Sequence, residues 1–291
     1  MVRAKNNNVP LETITEEEAK AIEPRVKTFK RALFSPTTSS VNPSQVVQSM
    51  CDDANQEGMK LHRGVRYLKR TGKGIVKTTH GNIEFGYMVN SAGLYADKIA
   101  QDFGFSRDYQ ILPFKGLYLY SNEPAGAFQT NIYPVPDLRN PFLGVHFTRM
   151  VNGDVECGPN AVLIFKREGY GKTDFSFRDT VSALSYGGTW KLFLKNISFG
   201  INEYRRAFSK KLFLKTLQGL IPSLTMEDIK PGRAGVRALL LGTDGDTRDD
   251  FRIEYGVNSI HVLNAPSPAA TASLAIGNEI KEMAVKHFGL K

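Results

Sequence analysis

Cysteine is scarce: Cys51 and Cys157 are the only two in 291 residues. They share no metal-ligand spacing, and a disulfide scaffold of this length would need more, so a reducing compartment is the default. No apolar run approaches the roughly 18–20 residues that span a bilayer. The opening Met1-Val-Arg-Ala-Lys-Asn-Asn-Asn8 has no apolar core, so a secretory signal is not expected. Internal repeats and low-complexity tracts are lacking. So is any G-x-G-x-x-G turn, the usual pyrophosphate cradle of a dinucleotide site. The nearest approach, Gly72-Lys-Gly74, lies in a predicted hairpin and has no third glycine.

What is there fits a soluble globular chain. Hydrophobic residues make up 41% and charged residues 23%, and the length suits one large domain or two intimate ones. Thirty-eight basic against 29 acidic residues give a formal charge of +9. Such an excess suits nucleic acid, an anionic membrane surface, or an anionic substrate and cofactor. The charge is spread rather than blocked. Its densest stretches, 60–77 and 205–215, read as strand residues and the polar face of a helix, so solvated surface is the expectation for both. A basic face toward lipid headgroups stays open for the second. Nucleic-acid binding would rest on net charge alone and is not expected.

Along the chain, Thr15-Glu-Glu-Glu18 is a capping box that predicts a short helix ended before Pro24. Asn42-Pro43 predicts a longer helix, with Val46, Val47, Met50 and Ala54 at helical spacing and Gly58 closing it. Strands are predicted near 59–69, 74–79 and 83–91, the last feeding a helix to about Phe103. This small meander stands where a plain βαβ ladder would carry a helix. Strands follow at 112–120, 143–150 and 155–165, with Asn152-Gly153 as a hairpin turn. Residues 175–220 read as helical, broken at Gly187-Gly188 and Gly200 and closed by Pro231-Gly232. Strands return at 234–241, 250–256 and 260–264, before a last helix from about Pro268 to His287.

Two segments carry the chemical signal: Met88-Val-Asn-Ser-Ala-Gly-Leu-Tyr-Ala-Asp-Lys98 and His261-Val-Leu-Asn-Ala-Pro-Ser-Pro-Ala-Ala-Thr-Ala-Ser-Leu-Ala-Ile-Gly277. Each reads as a strand that ends in small residues and enters a helix. Backbone N–H groups at such a start can touch a ligand. Two of them suggest one large, partly anionic ligand such as a dinucleotide, FAD among them. Tight turns without a ligand are the alternative.

These segments, with Asn8-Val-Pro-Leu11, Ile22-Glu-Pro24, Pro113-Phe-Lys-Gly-Leu-Tyr118, Leu143-Gly-Val-His-Phe-Thr-Arg149 and Glu156-Cys-Gly-Pro-Asn-Ala-Val162, resemble the FAD-dependent oxidoreductases of the D-amino acid oxidase superfamily. Within it, the chain is most similar to the L-2-hydroxyglutarate oxidases and dehydrogenases. The resemblance runs over essentially the whole chain. It implies an α/β (α+β) fold: an FAD-binding Rossmann-like domain, 40–105 and 231–291, interleaved with a mixed-sheet substrate or cap domain, 1–39 and 106–230. Members of the family begin with a strand–G-x-G-x-x-G–helix unit that has no counterpart here, so the FAD domain is expected to be incomplete. A separate N-terminal FAD-binding chain is one way to complete it.

The resemblance also implies roles. Val65 would pair with the adenine, Ser91, Ala92 and Gly93 would lie along the pyrophosphate and ribitol, and Gly116 beside the isoalloxazine. Lys115 is either a flavin neighbour or a solvated strand residue. Pro268, Ala269, Ala270 and Thr271 would open a helix against the flavin pyrimidine. Arg237 would meet flavin or a substrate carboxylate bidentately, unless it forms a salt bridge to Asp244 or Asp246. His146 shares a strand face with Thr148 and is the candidate base for an α-hydroxyl proton, against the alternative of a satisfied structural histidine. Tyr133 and Arg149 could hold a distal carboxylate. His261 is expected to be structural, and no metal site is expected. The implied activity is oxidation of a small dicarboxylic hydroxy acid, L-2-hydroxyglutarate, to 2-oxoglutarate, with oxygen or a quinone as acceptor. The setting would be cytoplasmic, with peripheral contact on the inner face of the cell membrane as an option. The rivals are another amino-acid or hydroxy-acid oxidase of the superfamily, and an inactive chain that needs a partner.

Overall fold

The computed structural model describes residues 1–135, 144–171, 173–265 and 269–290. After α1 (Val2–Asn6) and β1 (Glu12–Thr15), the expected capping box is formed. Glu18 N donates to the Thr15 hydroxyl and Thr15 N to the Glu18 carboxylate, starting α2 (Glu16–Ile22). Beyond β2 (Arg31–Phe34), Asn42 Oδ1 accepts from Ser44 N and Gln45 N and caps α3 (Pro43–Gln56). The meander follows as β3 (Tyr67–Gly72), β4 (Ile75–Thr78) and β5 (Gly81–Glu84), an antiparallel sheet in that order. The segment 83–91, expected as one strand, divides. Phe85 N donates to Gly74 O and closes the meander, and β6 (Met88–Asn90) joins a different sheet.

A 3₁₀ turn at Gly93–Tyr95 leads into α4 (Ala96–Asp102) and then β7 (Tyr109–Ser121). Strands β8 (His146–Arg149) and β9 (Val155–Gly158) flank the Asn152-Gly153 turn, where Gly153 has φ +88°. The expected 155–165 strand is interrupted, because Pro159 has no N–H for a ladder. Asn160 Oδ1 instead accepts from Leu117 N, and β10 (Val162–Leu163) resumes. The helical region holds α5 (Phe177–Leu184), α6 (Gly187–Lys195), α7 (Ile197–Phe208) and α8 (Lys210–Leu217). One break, at Ser185-Tyr186 between α5 and α6, falls directly before the expected Gly187-Gly188, whereas the break expected at Gly200 does not occur. Gly187-Gly188 opens α6, where a Cβ on Gly188 would collide with the Gly242 carbonyl, and Gly200 lies inside α7. Serine caps set two of the starts: Ser176 accepts from Asp179 N, and Ser209 from Leu212 N. Pro231-Gly232, expected to close the helices, lies within β11 (Ile229–Gly242). There a Cβ on Gly232 would stand 2.9 Å from Tyr118 O, so glycine permits the approach to β7. The chain ends with β12 (Arg252–Gly256), β13 (Ser259–Asn264), a 3₁₀ turn at Ala269–Ala272 and α9 (Ser273–Phe288).

Two compact units result. The first comprises Met1–Val46, Gly116–Val162 and Ser198–Gly235; the second comprises Val47–Lys115, Leu163–Ile197 and Val236–Lys291. In the first, β8 and β9 pair antiparallel with Phe147 opposite Cys157, and β9 pairs with β7 through Leu119 and Tyr120. Phe128, Phe147, Cys157, Phe213, Leu217 and Ile221 form its core. Burial pushes the Cys157 thiol up to about 12. Arg25 bridges Glu123 at 2.6 Å, donates to Ala127 O and lies over the Phe128 ring.

In the second unit, β6 pairs parallel with β13, and β13 antiparallel with β12. Every residue of β13 is buried, the pattern of a strand covered on both faces. Two clusters hold this unit, one around Ala96, Ala100, Ile111, Leu240 and Leu263, the other around Leu112, Leu163, Ala183 and Leu241. The segment Leu163–Ile197, grouped with 106–230 in the sequence pattern, packs here instead. Arg167 binds Asp97, Gln110 Nε2 donates to Ser182 O, and the Tyr186 hydroxyl donates to Leu241 O.

Candidate active site

The turn after β6 is tied down by a buried network. Asn90, 4% exposed, accepts from Ala92 N with Oδ1 and donates from Nδ2 to Ala96 O at 2.8 Å. The same Nδ2 lies 3.2 Å from His261 Nδ1, and His261 Nε2 lies 3.0 Å from Ser259 Oγ. Because the amide is the donor, Nδ1 accepts and Nε2–H donates to the serine. The histidine is therefore neutral, wholly buried between the rings of Phe103 and Phe105, and burial pushes its pKa down to about 4. Within this frame Ser91 and Gly93 are exposed and Ala92 is half-buried. Gly93 has φ +53°, and nothing stands within 4 Å of where its Cβ would be. A ligand could approach this backbone closely.

The other cofactor candidates of this unit lie on separate segments. Val65 is half-buried and lies before β3, outside any strand, although 59–69 was expected as one. Lys115 is only 5% exposed, and its Nζ donates to Gly171 O, which excludes the solvated alternative. Burial pulls its pKa below the ordinary lysine value, and Asp174 partly offsets this. Ala269, Ala270 and Thr271 form the 3₁₀ turn before α9, with Ala270 and Thr271 exposed, whereas Pro268 lies outside the described residues. Arg237 sits half-buried on β11. Asp244 is taken by Arg248 at 2.6 Å and Asp246 by Lys195 at 2.6 Å. The salt-bridge alternative is thereby removed, and among the described residues the Arg237 guanidinium has no hydrogen bond.

In the first unit, β8 presents His146 and Thr148 on one face, as alternation requires. Both meet Tyr133: its ring stacks on the imidazole at 4.7 Å, and its hydroxyl is 3.3 Å from Thr148 Oγ1. His146 Nδ1 donates to Gly144 O at 2.9 Å. Arg149 follows on the opposite side of the strand, and its Nη1 donates to Gln129 O. Tyr133 and Arg149 are thus not brought together as one carboxylate clamp. Gly116 lies against Pro159, whose Cβ would stand 2.8 Å from a Cβ added there, so packing alone already demands glycine.

Two features escaped the sequence reading. Arg167 and Asp97, 3% and 0% exposed, make a bidentate pair at 2.7 and 2.8 Å across 70 positions. Glu23, 2% exposed, accepts from Gln129 N through Oε2. No local signal announces pairs so distant in sequence; an acidic residue in the first turn of α4 looks like ordinary helix chemistry. No cluster of three metal-ligating side chains occurs among the described residues.

Residues 1–283 match the profile of a family described as FAD dependent oxidoreductase (DAO). The chain is 42% identical to the L-2-hydroxyglutarate dehydrogenase of Indibacter alkaliphilus over 281 residues, 95% of this chain and 70% of that protein. It is 39% identical to the mitochondrial L-2-hydroxyglutarate dehydrogenase of Nematostella vectensis over 312 residues, 99% of this chain and 68% of that protein. Among solved structures, the dithionite-reduced, FAD-bound L-alpha-glycerophosphate oxidase of Mycoplasma pneumoniae superposes with a TM-score of 0.68 at 17% identity, over 97% of this chain and 65% of that one. The fold is therefore that of the flavin oxidoreductases, and the chain belongs to the DAO family of FAD-dependent oxidoreductases. Its relatives in that family include L-2-hydroxyglutarate dehydrogenases, of which it spans about two-thirds of the length. FAD is the family's cofactor, and the small, open turn at 91–93 is compatible with it.

The buried histidine fixes a pH dependence. In the unfolded chain His261 would titrate near 6.5, and in the folded chain near 4. Between those values the unfolded state binds more protons, so stability falls as pH drops from 6.5 to 4, by up to about 3 kcal/mol. Thermal unfolding followed from pH 7 to 4.5 is expected to show this loss in the wild type and a shallower one in His261→Gln. Parallel curves would remove the histidine from the acid response.

Proposed function

We propose that the enzyme to which this chain belongs oxidises L-2-hydroxyglutarate to 2-oxoglutarate. The carrying observation is 42% and 39% identity, over nearly all of this chain, to proteins named for that substrate. Bound FAD would take the two electrons and the α-hydrogen. The polypeptide's part is to bind, orient and deprotonate. His146 is the proposed base for the hydroxyl proton, its imidazole placed by the Nδ1 contact to Gly144 O. Arg237, with no carboxylate partner among the described residues, is proposed to hold the substrate carboxylate or a flavin oxygen. Residues 91–93 and 269–271, with Val65, Lys115 and Gly116, are proposed to line the flavin, and Tyr133 to serve the substrate.

Two partner readings accompany this. A chain carrying a G-x-G-x-x-G turn would complete the cofactor site, since none of the 291 residues here forms one. An anionic membrane surface would suit the basic stretch 205–215, where Arg205, Lys211 and Lys215 are exposed, and a quinone or oxygen would take the electrons. No helix among the described residues is long and apolar enough to cross a membrane. Sedimentation with vesicles containing anionic lipid is expected to carry the wild type down more than Lys211→Glu/Lys215→Glu. Equal sedimentation would discard the membrane reading.

FAD is expected to leave the isolated chain on gel filtration and to be retained once a G-x-G-x-x-G unit is supplied, in cis or as a separate chain. Anaerobic L-2-hydroxyglutarate should then bleach the flavin. Bleaching by an amino acid instead would transfer the assignment to the amino-acid oxidases of the same family.

In that flavoprotein, His146→Ala should reduce its flavin roughly 10²- to 10⁴-fold more slowly. Arg237→Lys should lose roughly 10- to 150-fold in kcat/KM, because lysine cannot form the bidentate contact. Stopped-flow rates unchanged in either variant would return that residue to a structural role.

A further inference from the structure

Asp97 and Arg167 form a buried ion pair that neither the sequence motifs nor the proposed chemistry uses. Its placement is specific. Arg167 sits in the turn after β10, and its own N–H donates to Asp179 Oδ2 at 3.0 Å, which anchors it to the first turn of α5. From there the guanidinium reaches both Asp97 oxygens and also donates from Nη1 to Leu94 O. Leu94 follows Gly93 directly. One planar fork therefore grips the 3₁₀ turn through a main-chain carbonyl and the following helix through a carboxylate. The neighbouring Glu168 accepts from the Tyr95 hydroxyl at 3.1 Å. Asn90 holds the start of the same turn, through Ala92 N and Ala96 O.

A buried ion pair is a poor source of net stability, since well-packed apolar residues of similar volume often serve as well or better. Its distinctive property is direction. Arginine presents fixed donors in a plane, so it sets how the Leu94 peptide is oriented relative to α4. It does so without offering charge to a ligand, because Asp97 neutralises it. Asp97 is itself fully engaged, accepting from Lys98 N at 2.8 Å and Ile111 N at 3.0 Å as well.

We propose that Arg167 and Glu168 are positioning residues that hold residues 91–97 in the conformation in which the backbone of Ser91, Ala92 and Gly93 can receive the anionic pyrophosphate of FAD. This rests on the proposed flavin role of that turn. It adds a clasp from outside the motif, contributed by a segment about 70 residues downstream.

Hydrogen exchange of the chain completed with the G-x-G-x-x-G unit, read by mass spectrometry with increasing FAD, tests both layers. Arg167→Lys keeps the charge but not the fork; Arg167→Met/Asp97→Asn removes both charges together, so no carboxylate is left buried and unpaired; Glu168→Gln loosens the outer contact. With either Arg167 variant, exchange within 91–97 should accelerate roughly 10- to 100-fold, the equivalent of one lost charge-assisted hydrogen bond. Exchange in β13 should stay as in the wild type. FAD should slow exchange of 91–97 in the wild type, and the Arg167 variants should need at least about tenfold more FAD for the same protection. Glu168→Gln should show a smaller shift in the same direction. Unaltered exchange at 91–97 in both Arg167 variants would overturn the clasp. Faster exchange with an unchanged FAD requirement would make it a structural tie with no bearing on the ligand. Absence of any FAD-dependent protection at 91–97 in the wild type would instead remove the flavin reading of the turn, and the proposal with it.

Discussion

The Asp97 carboxylate is the constraint on which the second unit is assembled. It is wholly buried, and no solvent shares its charge. A carboxylate in that position must collect donors or destabilise the fold, and breaking such a pair from one side costs about 3–5 kcal/mol. It collects them from three separate stretches: Lys98 N in its own helix, Ile111 N on β7, and the Arg167 guanidinium. Meeting the needs of one anion therefore fixes a helix, a strand and a turn in register. The apolar clusters around Ala96, Ile111, Leu112 and Leu163 fill in around that point.

A second buried polar chain runs alongside. His261, Asn90 and Ser259 sit where β6 and β13 pair, with His261 opposite Asn90 in the parallel register. Each donor meets one acceptor, so the chain has a single consistent proton arrangement, and a neutral imidazole is the only form that completes it. Satisfied polar networks of this kind specify one geometry where apolar packing alone would tolerate several. Both networks converge on the turn containing Ser91, Ala92 and Gly93, whose outer surface is left bare of large side chains.

Local chemistry was legible from the sequence, and long-range chemistry was not. The Thr15 capping box, the Asn42 cap, the meander and the Asn152-Gly153 turn follow from rules acting over two to four residues, and each is formed. The small-residue turns were visible for the same reason. A glycine misled where it serves packing: Gly232 accommodates another backbone rather than ending an element. The strand expected over 83–91 conceals a change of sheet, because β-propensity does not say which partner a residue pairs with. The alternatives left open at Lys115 and Arg237 were narrowed by burial and by competing ion pairs, quantities that depend on the whole fold. The Asp97–Arg167 pair was invisible for a related reason, being an interaction between residues that share no local pattern.

Cys157 lies opposite Phe147 at the centre of a sealed core, with its thiol held protonated far above neutral pH. A thiol in that state is a poor nucleophile and beyond the reach of maleimides or peroxide. Cys51, on α3 and only half-buried, is the other thiol of the chain. The folded molecule is thus a single-handle protein for sulfur chemistry: a fluorophore or spin label would attach at Cys51 with no cysteine engineering, and reaction at Cys157 would report the opening of the core.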